Sequence, residues 1–265
     1  MTLKNSEGLT AVILAGGLGS RLAEETSARP KPMVEIGGKP ILWHIMKHYS
    51  VFGVKKFVIC LGYKGYMIKE YFANYVLHVS DIIVDVKSNS VQLVDNNELE
   101  DWNITLIDTG INSGTAERIS KISHVLAKTE PFFLTYGDGV ADINIELLYN
   151  SHLASNKLIT VTAVKPPDRF GNLEILGNSV VNFSEKTQGP SHYISGGFFV
   201  VSPSAFDYFR ESDTSWEFDI LPRLTREHGI DAYLHTGFWQ PMDTLRDKNT
   251  LEDLWETDRA PWKMW

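Results

Sequence analysis

Residues 11–22 read Ala-Val-Ile-Leu-Ala-Gly-Gly-Leu-Gly-Ser-Arg-Leu. The apolar run Ala11 to Ala15 stops abruptly at Gly16-Gly17, and a run of that length between turn residues predicts a strand buried on both faces of a sheet. Glycines at 16, 17 and 19 let the chain turn tightly and bring bare N–H groups close to a ligand's oxygens. Ser20 and Arg21 then add a hydroxyl and a planar positive fork. A strand that runs through glycines into a helix start is a phosphate-binding pattern. Two familiar versions of it fail here. A Walker loop needs Lys-Ser/Thr directly after its last glycine, whereas Gly19 is followed by Ser20-Arg21. A dinucleotide loop needs Gly-x-Gly-x-x-Gly, and Gly17-Leu18-Gly19-Ser20-Arg21-Leu22 ends in leucine, which counts against hydride transfer.

Outward from this loop, short apolar runs recur at 57–61, 104–107, 132–135, 158–164 and 198–201. Segments of helical spacing lie between them. Ile41, His44, Ile45, His48 and Phe52 share one face; Tyr66, Ile68, Tyr71, Phe72 and Tyr75 form a looser stripe; Ile119, Ile122, Val125 and Leu126 form a third. Strands alternating with helices predict an α/β fold, a mostly parallel mixed sheet flanked by helices. From about residue 158 helices thin out, which predicts a smaller strand-rich lobe. Residues 1–9 are polar and predicted to fray, and 10–265 to form one domain in three parts. These are a nucleotide-binding part (10–157), a sugar-phosphate part (158–243) and a C-terminal helix and tail (244–265).

Composition narrows the function classes. The chain has 265 residues, 43% hydrophobic and 22% charged, with 20 Gly and 11 Pro, which excludes disorder, collagen-like repeats and disulfide miniproteins. The net charge of −8 predicts no nucleic-acid partner, since such domains are basic. No apolar run reaches the roughly 18–20 residues that span a bilayer, so no membrane partner is expected. Cys60 is the one cysteine, in an apolar run with no basic neighbour in sequence; it is predicted buried and inert, in a cytoplasmic protein. His44 and His48 stand four apart but lack the intervening glutamate of a metalloprotease and a third ligand, and are predicted to be core or surface residues.

Several motifs carry the chemistry. Arg29-Pro30-Lys31-Pro32-Met33 holds a cation between two prolines that remove backbone freedom. Tyr136-Gly137-Asp138-Gly139 follows an apolar run directly, and ligands of open parallel sheets bind beyond the carboxyl ends of strands. Asp243 follows in Gln240-Pro241-Met242-Asp243-Thr244. Mg²⁺ takes a few carboxylate oxygens together with phosphates and waters, so two aspartates suffice. Asp142 reads as the cap of a helix starting near Ile143.

Gly16-Gly17-Leu18-Gly19-Ser20-Arg21-Leu22, with Thr26 and Pro30-Lys31-Pro32-Met33, resembles the opening signature of the sugar-phosphate nucleotidyltransferases. The likeness extends to the cytidylyl-transferring branch of that family at Lys39–His44, Gly62–Gly65, Tyr136–Asp142, Arg169–Gly171 and Gly237–Asp247, and it covers Ala11 to Trp265. The resemblance implies a Rossmann-like nucleotidyltransferase fold and Mg²⁺-assisted transfer of a cytidylyl group from CTP to α-D-glucose 1-phosphate, on the way to surface polysaccharides such as O antigen. It implies catalytic roles for Arg21, Lys31 and Asp138, and a metal held by Asp138 and Asp243. Nucleotide contacts would come from Leu14, Ala15, Gly16, Gly17, Leu18, Gly19, Ser20, Arg21, Lys31, Thr109, Ser113, Thr115, Arg118, Gly137 and Asp138. Sugar-phosphate contacts would come from Gly171, Glu185, Lys186, Ser195 and Gly196.

The family pattern is broken near the ligands. Ala116-Glu117 replace two glycines, Ser195 replaces an asparagine, and Thr187-Gln188 replace Pro-Lys. A carboxylate at 117 suits an anionic nucleotide only if it points away. The same chemistry with another phosphorylated acceptor, or with dTTP or UTP, therefore stays open, as does a nucleotide-binding regulator; Asp138, Asp243 and Lys31 together favour an enzyme. The resemblance further implies a homo-oligomer, a hexamer. The rings at Trp239, Trp255, Trp262 and Trp265 predict that residues 251–265 pack at or near a subunit contact.

Overall fold

In a computed structural model the first apolar run becomes β1 (Thr10–Ala15), an interior strand of a seven-stranded sheet. The structure describes residues 8–94, 99–126, 130–165, 172–176, 179–184 and 193–265. After β1 come α1 (Ala23–Thr26), β2 (Glu35–Ile36), β3 (Lys39–Pro40), α2 (Ile41–Val51) and β4 (Lys56–Leu61). Next are α3 (Gly65–Ala73), α4 (Tyr75–Val79), β5 (Ile82–Asp85), β6 (Ser90–Leu93), β7 (Asn103–Asp108) and α5 (Thr115–Lys121). The middle of the chain gives β8 (Phe132–Tyr136), β9 (Gly139–Ala141), α6 (Ile145–Ser155), β10 (Ile159–Val164), β11 (Asn172–Leu176), β12 (Ser179–Ser184) and β13 (Ile194–Val201). Last come α7 (Leu221–Arg226), β14 (Ile230–His235), β15 (Trp239–Pro241) and α8 (Leu245–Glu256).

The sheet order is β14-β10-β13-β8-β1-β4-β7. β1 runs parallel to both β4 and β8, and β4 to β7, while β13 is antiparallel to β8 and β10. Because side chains alternate across a strand, the unbroken apolar run of β1 feeds two cores. Ala11 and Ile13 join Ile41, Ile45, Tyr49 and Ile59 on one face; Val12 and Leu14 join Cys60, Ile119, Trp216 and Leu224 on the other.

The strand-rich part of the chain is joined to the main sheet. β10, β13 and β14 extend the main sheet, while β11–β12 forms a two-stranded sheet and β15 pairs with β9 outside the main sheet. The third helical stripe is also cut short: α5 ends at Lys121 and a 3₁₀ turn, Ser123–Val125, leaves Val125 exposed. Of the segment expected to fray, residues 1–7 lie outside the described residues and Leu9 packs into the core.

The C-terminal tail has a socket on its own chain. Residues 251–265 fold onto their own subunit: Trp262 is buried, and its Nε1 donates to His44 Nδ1 at 3.3 Å. Trp255 packs edge-on to His44 with ring centroids 4.7 Å apart. Gly37, at φ 57, makes room, since a Cβ there would sit 1.9 Å from Trp255 Nε1. One exposed apolar face lies on the β5–β6 hairpin. Its register pairs Ile82 with Leu93 and Val84 with Val91, so four apolar side chains share one face, and all four are exposed.

Candidate active site

The glycine loop is built around a buried arginine. Arg118, from α5, donates to the carbonyls of Leu61 (2.9 Å), Gly16 (3.1 Å) and Ile111 (3.4 Å) and to Thr109 Oγ1 (2.7 Å). A Cβ on Gly16 would lie 2.2 Å from its Nη1, and one on Gly62 2.7 Å from the same atom. These two glycines are there so that backbone can close over a guanidinium. Gly19 has a different reason: it sits at φ 64, the left-handed region, and its carbonyl accepts from Thr26 Oγ1 at 3.1 Å. Beyond it the helix start is short, a 3₁₀ turn (Ser20–Leu22) followed by the four residues of α1.

Above this loop lies a cavity of about 420 Å³, lined by Leu14, Ala15, Gly16, Gly17, Gly19, Ser20, Arg21, Lys31, Ser113, Thr115, Arg118, Gly137, Asp138 and Asp243. Two expected contacts are absent from its wall. Leu18 points to solvent, and Thr109 is buried with its hydroxyl donating to Leu61 O at 2.7 Å. Arg118 reaches the wall with both terminal nitrogens engaged in holding the loop. Glu117 turns away from the cavity: its carboxylate accepts from Gly114 N at 2.6 Å and caps α5, and Ala116 beside it is fully buried.

The carboxylate pair depends on long-range pairing. β8 ends at Tyr136, Gly137-Asp138 turns, and β9 then pairs antiparallel with β15, Pro241 opposite Gly139. Met242 N donates to Asp138 O at 2.8 Å, which sets Asp243 beside Asp138. Both converge on Lys31, whose Nζ lies 2.7 Å from Asp138 Oδ2 and 2.7 Å from Asp243 Oδ1. Burial works against the charge of Lys31, but the two carboxylates outweigh it and raise its pKa above the ordinary lysine value. Arg21 Nη1 lies 3.4 Å from Asp243 Oδ2, on a largely exposed side chain. Behind Asp243, the buried Asp247 accepts from Asp243 N at 3.2 Å, Thr244 N at 2.9 Å and Thr244 Oγ1 at 2.9 Å, and this box opens α8.

A second cavity of about 440 Å³ adjoins the first, and Arg21, Tyr136, Asp138 and Asp243 line both. Ser195, Gly196, Gly197, Glu217 and Trp239 are among its other lining residues. Gly197, at φ 76, lets the Tyr136 ring lie against the backbone; a Cβ there would be 2.5 Å from its Cδ2. Glu217 was not visible as a site residue in the sequence, where it follows Trp216 in a plain polar stretch. Gly171, Glu185, Lys186 and the Thr187-Gln188 departure lie outside the described residues.

Other polar candidates fall away from the cavities. Asp142 does not cap a helix: its Oδ1 lies 3.0 Å from His235 Nε2, and Asn144 caps α6 by accepting from Leu147 N at 2.9 Å. His44 and His48 are core residues whose pKa burial lowers to about 4. Cys60 is buried, which pushes its thiol up to about 12, although Arg118 is closer than the sequence suggested, its carbonyl 4.0 Å from Sγ. Among the described residues no histidine lines either cavity, and no group of three metal-ligating side chains is found. No described helix is long and apolar enough to cross a membrane.

Residues 10–258 match the family model described as nucleotidyl transferase. A glucose-1-phosphate cytidylyltransferase from Salmonella typhimurium is 53% identical over 97% of this chain and all of its own length. Among solved structures, HddC from Yersinia pseudotuberculosis, complexed with GMP-PN, superposes with a TM-score of 0.67 at 23% identity, over 93% of this chain and 99% of that one. A UDP-glucose pyrophosphorylase complexed with UDP-glucose gives 0.67 at 15% identity, over 95% and 99%. At such identities the structural likeness speaks to the fold.

Proposed function

The chain belongs to the nucleotidyl transferase family, and from that premise we propose that it transfers a cytidylyl group from CTP to α-D-glucose 1-phosphate, giving CDP-glucose and pyrophosphate. The observation that carries this reading is the wall common to the two cavities. A triphosphate in the first and a sugar phosphate in the second would meet at Arg21, Asp138 and Asp243.

Two anions must approach one another, so cations and positioning matter more than proton transfer. The second pKa of a phosphate is about 6, so the attacking oxygen is already largely ionised at neutral pH. That agrees with cavities whose described walls carry no histidine. Gly16, Gly17 and Gly19 offer N–H groups to the phosphates, while Arg21 and Lys31 offset their charge. An oxygen of the sugar phosphate attacks the α-phosphorus in line; the bond from that phosphorus to the bridging β-phosphate oxygen breaks, and pyrophosphate leaves.

Asp138 and Asp243 fit a divalent ion of the Mg²⁺ type. Both carboxylates already converge on one cationic atom, at 2.7 Å each, beside open cavity that leaves room for phosphate oxygens and water. When bound, Mg²⁺ would neutralise charge on the triphosphate. Ser195 and Gly196, with Gly171, Glu185 and Lys186, are proposed for the acceptor. We assign the enzyme to the cytoplasm, where nucleotide and sugar phosphate are available, with no nucleic-acid or membrane partner.

A homo-oligomer, a hexamer by resemblance, is part of the same reading. Its support on the molecule is the exposed apolar face of Ile82, Val84, Val91 and Leu93. A two-stranded hairpin is marginal in water unless something covers it. A second copy of the chain is the proposed cover.

The deciding experiment measures pyrophosphate release from CTP, dTTP, UTP and GTP against a panel of sugar 1-phosphates. Turnover should be fastest with CTP and glucose 1-phosphate. Nucleotide binding without turnover on any acceptor would favour a regulator instead.

A further inference from the structure

We infer that Glu217 is a specificity-determining residue for the acceptor: its carboxylate, together with the Tyr136 hydroxyl it holds, receives the neutral, hydroxyl-bearing end of the sugar phosphate. The inference rests on the reaction proposed above and adds the orientation of the acceptor.

Glu217 is a carboxylate with an unusual set of neighbours. It accepts from three neutral hydroxyls: Tyr136 at Oε1, Thr115 at Oε2 (2.7 Å) and Ser215 at Oε2 (3.0 Å). Among the described residues no lysine, arginine or histidine pairs with it. A carboxylate has about four lone-pair sites, so one remains on Oε1, in a side chain that lines the second cavity. An uncompensated negative charge repels a phosphate and attracts hydroxyl donors. Arg21 lines the same cavity together with Asp138 and Asp243. The acceptor's phosphate therefore belongs at the Arg21 side and its hydroxyls at the Glu217 side.

Tyr136 reinforces this polarity. Its only proton is donated to Glu217, so towards the cavity the phenol oxygen can only accept. Burial and the adjacent carboxylate both push the phenol's pKa upward, so it remains protonated. Trp239 adds a flat apolar wall that suits the C–H face of a sugar ring, fixed by a hydrogen bond from its Nε1 to Gly196 O at 2.8 Å. The carboxylate itself is anchored. Thr115 Oγ1 also accepts from Trp216 N at 2.8 Å, and a Cβ on Gly114 would lie 2.0 Å from Thr214 O. The 214–217 segment is thus pressed against the start of α5, with little freedom for Glu217 to reorient.

The test is a cycle between enzyme and substrate. Wild type, Glu217→Gln and Tyr136→Phe are assayed with CTP and glucose 1-phosphate, and with its deoxy analogues at each ring hydroxyl. Wild type should lose about tenfold or more in kcat/KM for at least one analogue, the range for a hydrogen bond to a charged group. Glu217→Gln should lose about as much with the parent sugar and almost nothing further with that analogue, with KM for the sugar phosphate rising more than KM for CTP. Losses that multiply independently at every ring position would overturn the proposal, as would equal rises in both KM values. If Glu217→Gln fails to fold by circular dichroism, the same cycle with Tyr136→Phe decides. Failure of wild type to release pyrophosphate with any sugar phosphate would instead remove the underlying reaction.

Discussion

The two ribbons β9–β15 and β5–β6 are both short antiparallel pairs outside the main sheet, yet they do opposite things. β5 and β6 are neighbours in sequence, closed by a local turn, and their apolar face with Val84 and Val91 looks outward. β9 and β15 are far apart in sequence, and their pairing brings Asp138 and Asp243 onto the same lysine. A local ribbon needs only a short turn to bring its strands together, and its outer face is left as a surface. A non-local ribbon forms only once the sheet and the C-terminal segment are in place, so the carboxylate pair is a product of the complete fold. This ties the catalytic geometry to tertiary stability.

Breaking the non-local ribbon's product should have the largest effect. Asp138→Asn and Asp243→Asn are each expected to lower turnover by about a thousandfold with secondary structure unchanged by circular dichroism, since each removes an anionic ligand from the proposed metal site. Near-normal Mg²⁺-dependent turnover would show that the ribbon is merely structural. Lys31→Ala should cost about a hundredfold, in the range for deleting a preorganised charge. Asp247→Asn weakens the box that fixes Asp243 rather than the pair itself; about tenfold in kcat is expected, and a loss as large as for Asp243→Asn would mean that Asp247 acts directly.

Acidification probes the core instead of either ribbon. Burial lowers His44, His48 and His152 to about 4, below the ordinary histidine value of 6.5. The unfolded chain takes up protons below about 6.5 while the folded chain does so only near 4, so stability is fully present above pH 6.5 and is lost as pH falls towards 4. Urea unfolding across that interval should show it, and a flat profile would refute the burial of these rings. The smallest effect on the chain's own fold is expected from Val84→Asp with Val91→Asp on the local ribbon. Circular dichroism should be unchanged, while sedimentation should shift to a smaller species. A wild-type chain that sediments as a monomer, or an assembly indifferent to both substitutions, would remove the hairpin as an interface.

Some of this was written locally in the chain. The run Ala11–Ala15 fixed a strand buried on both faces because every position was apolar, and the glycines after it fixed the turn. Lys31 between two prolines announced a rigid cation, and Gly137-Asp138-Gly139 an open approach. Other features could not be read locally. The β5–β6 hairpin was missed because each strand is only four residues long, and Ile82-Ile83-Val84-Asp85 lacks the apolar-polar alternation that Ser90-Val91-Gln92-Leu93 shows. Composition also cannot tell which surface the rings of the tryptophan-rich tail cover; in the fold, α2 and Gly37 present a socket for Trp255.

By itself the sequence determined the fold class, the glycine turn after the first strand and which charged residues were available to a site, because periodicity, glycine and charge act over a few residues. Only the tertiary structure decided which groups act together. It turned Arg118 inward to support the loop, turned Glu117 back onto its own helix, paired Asp138 with Asp243 around Lys31, and placed Glu217 on the wall of the second cavity. Each of these depends on where a distant strand or helix end comes to rest, and that is set by packing the whole sheet rather than by any local preference.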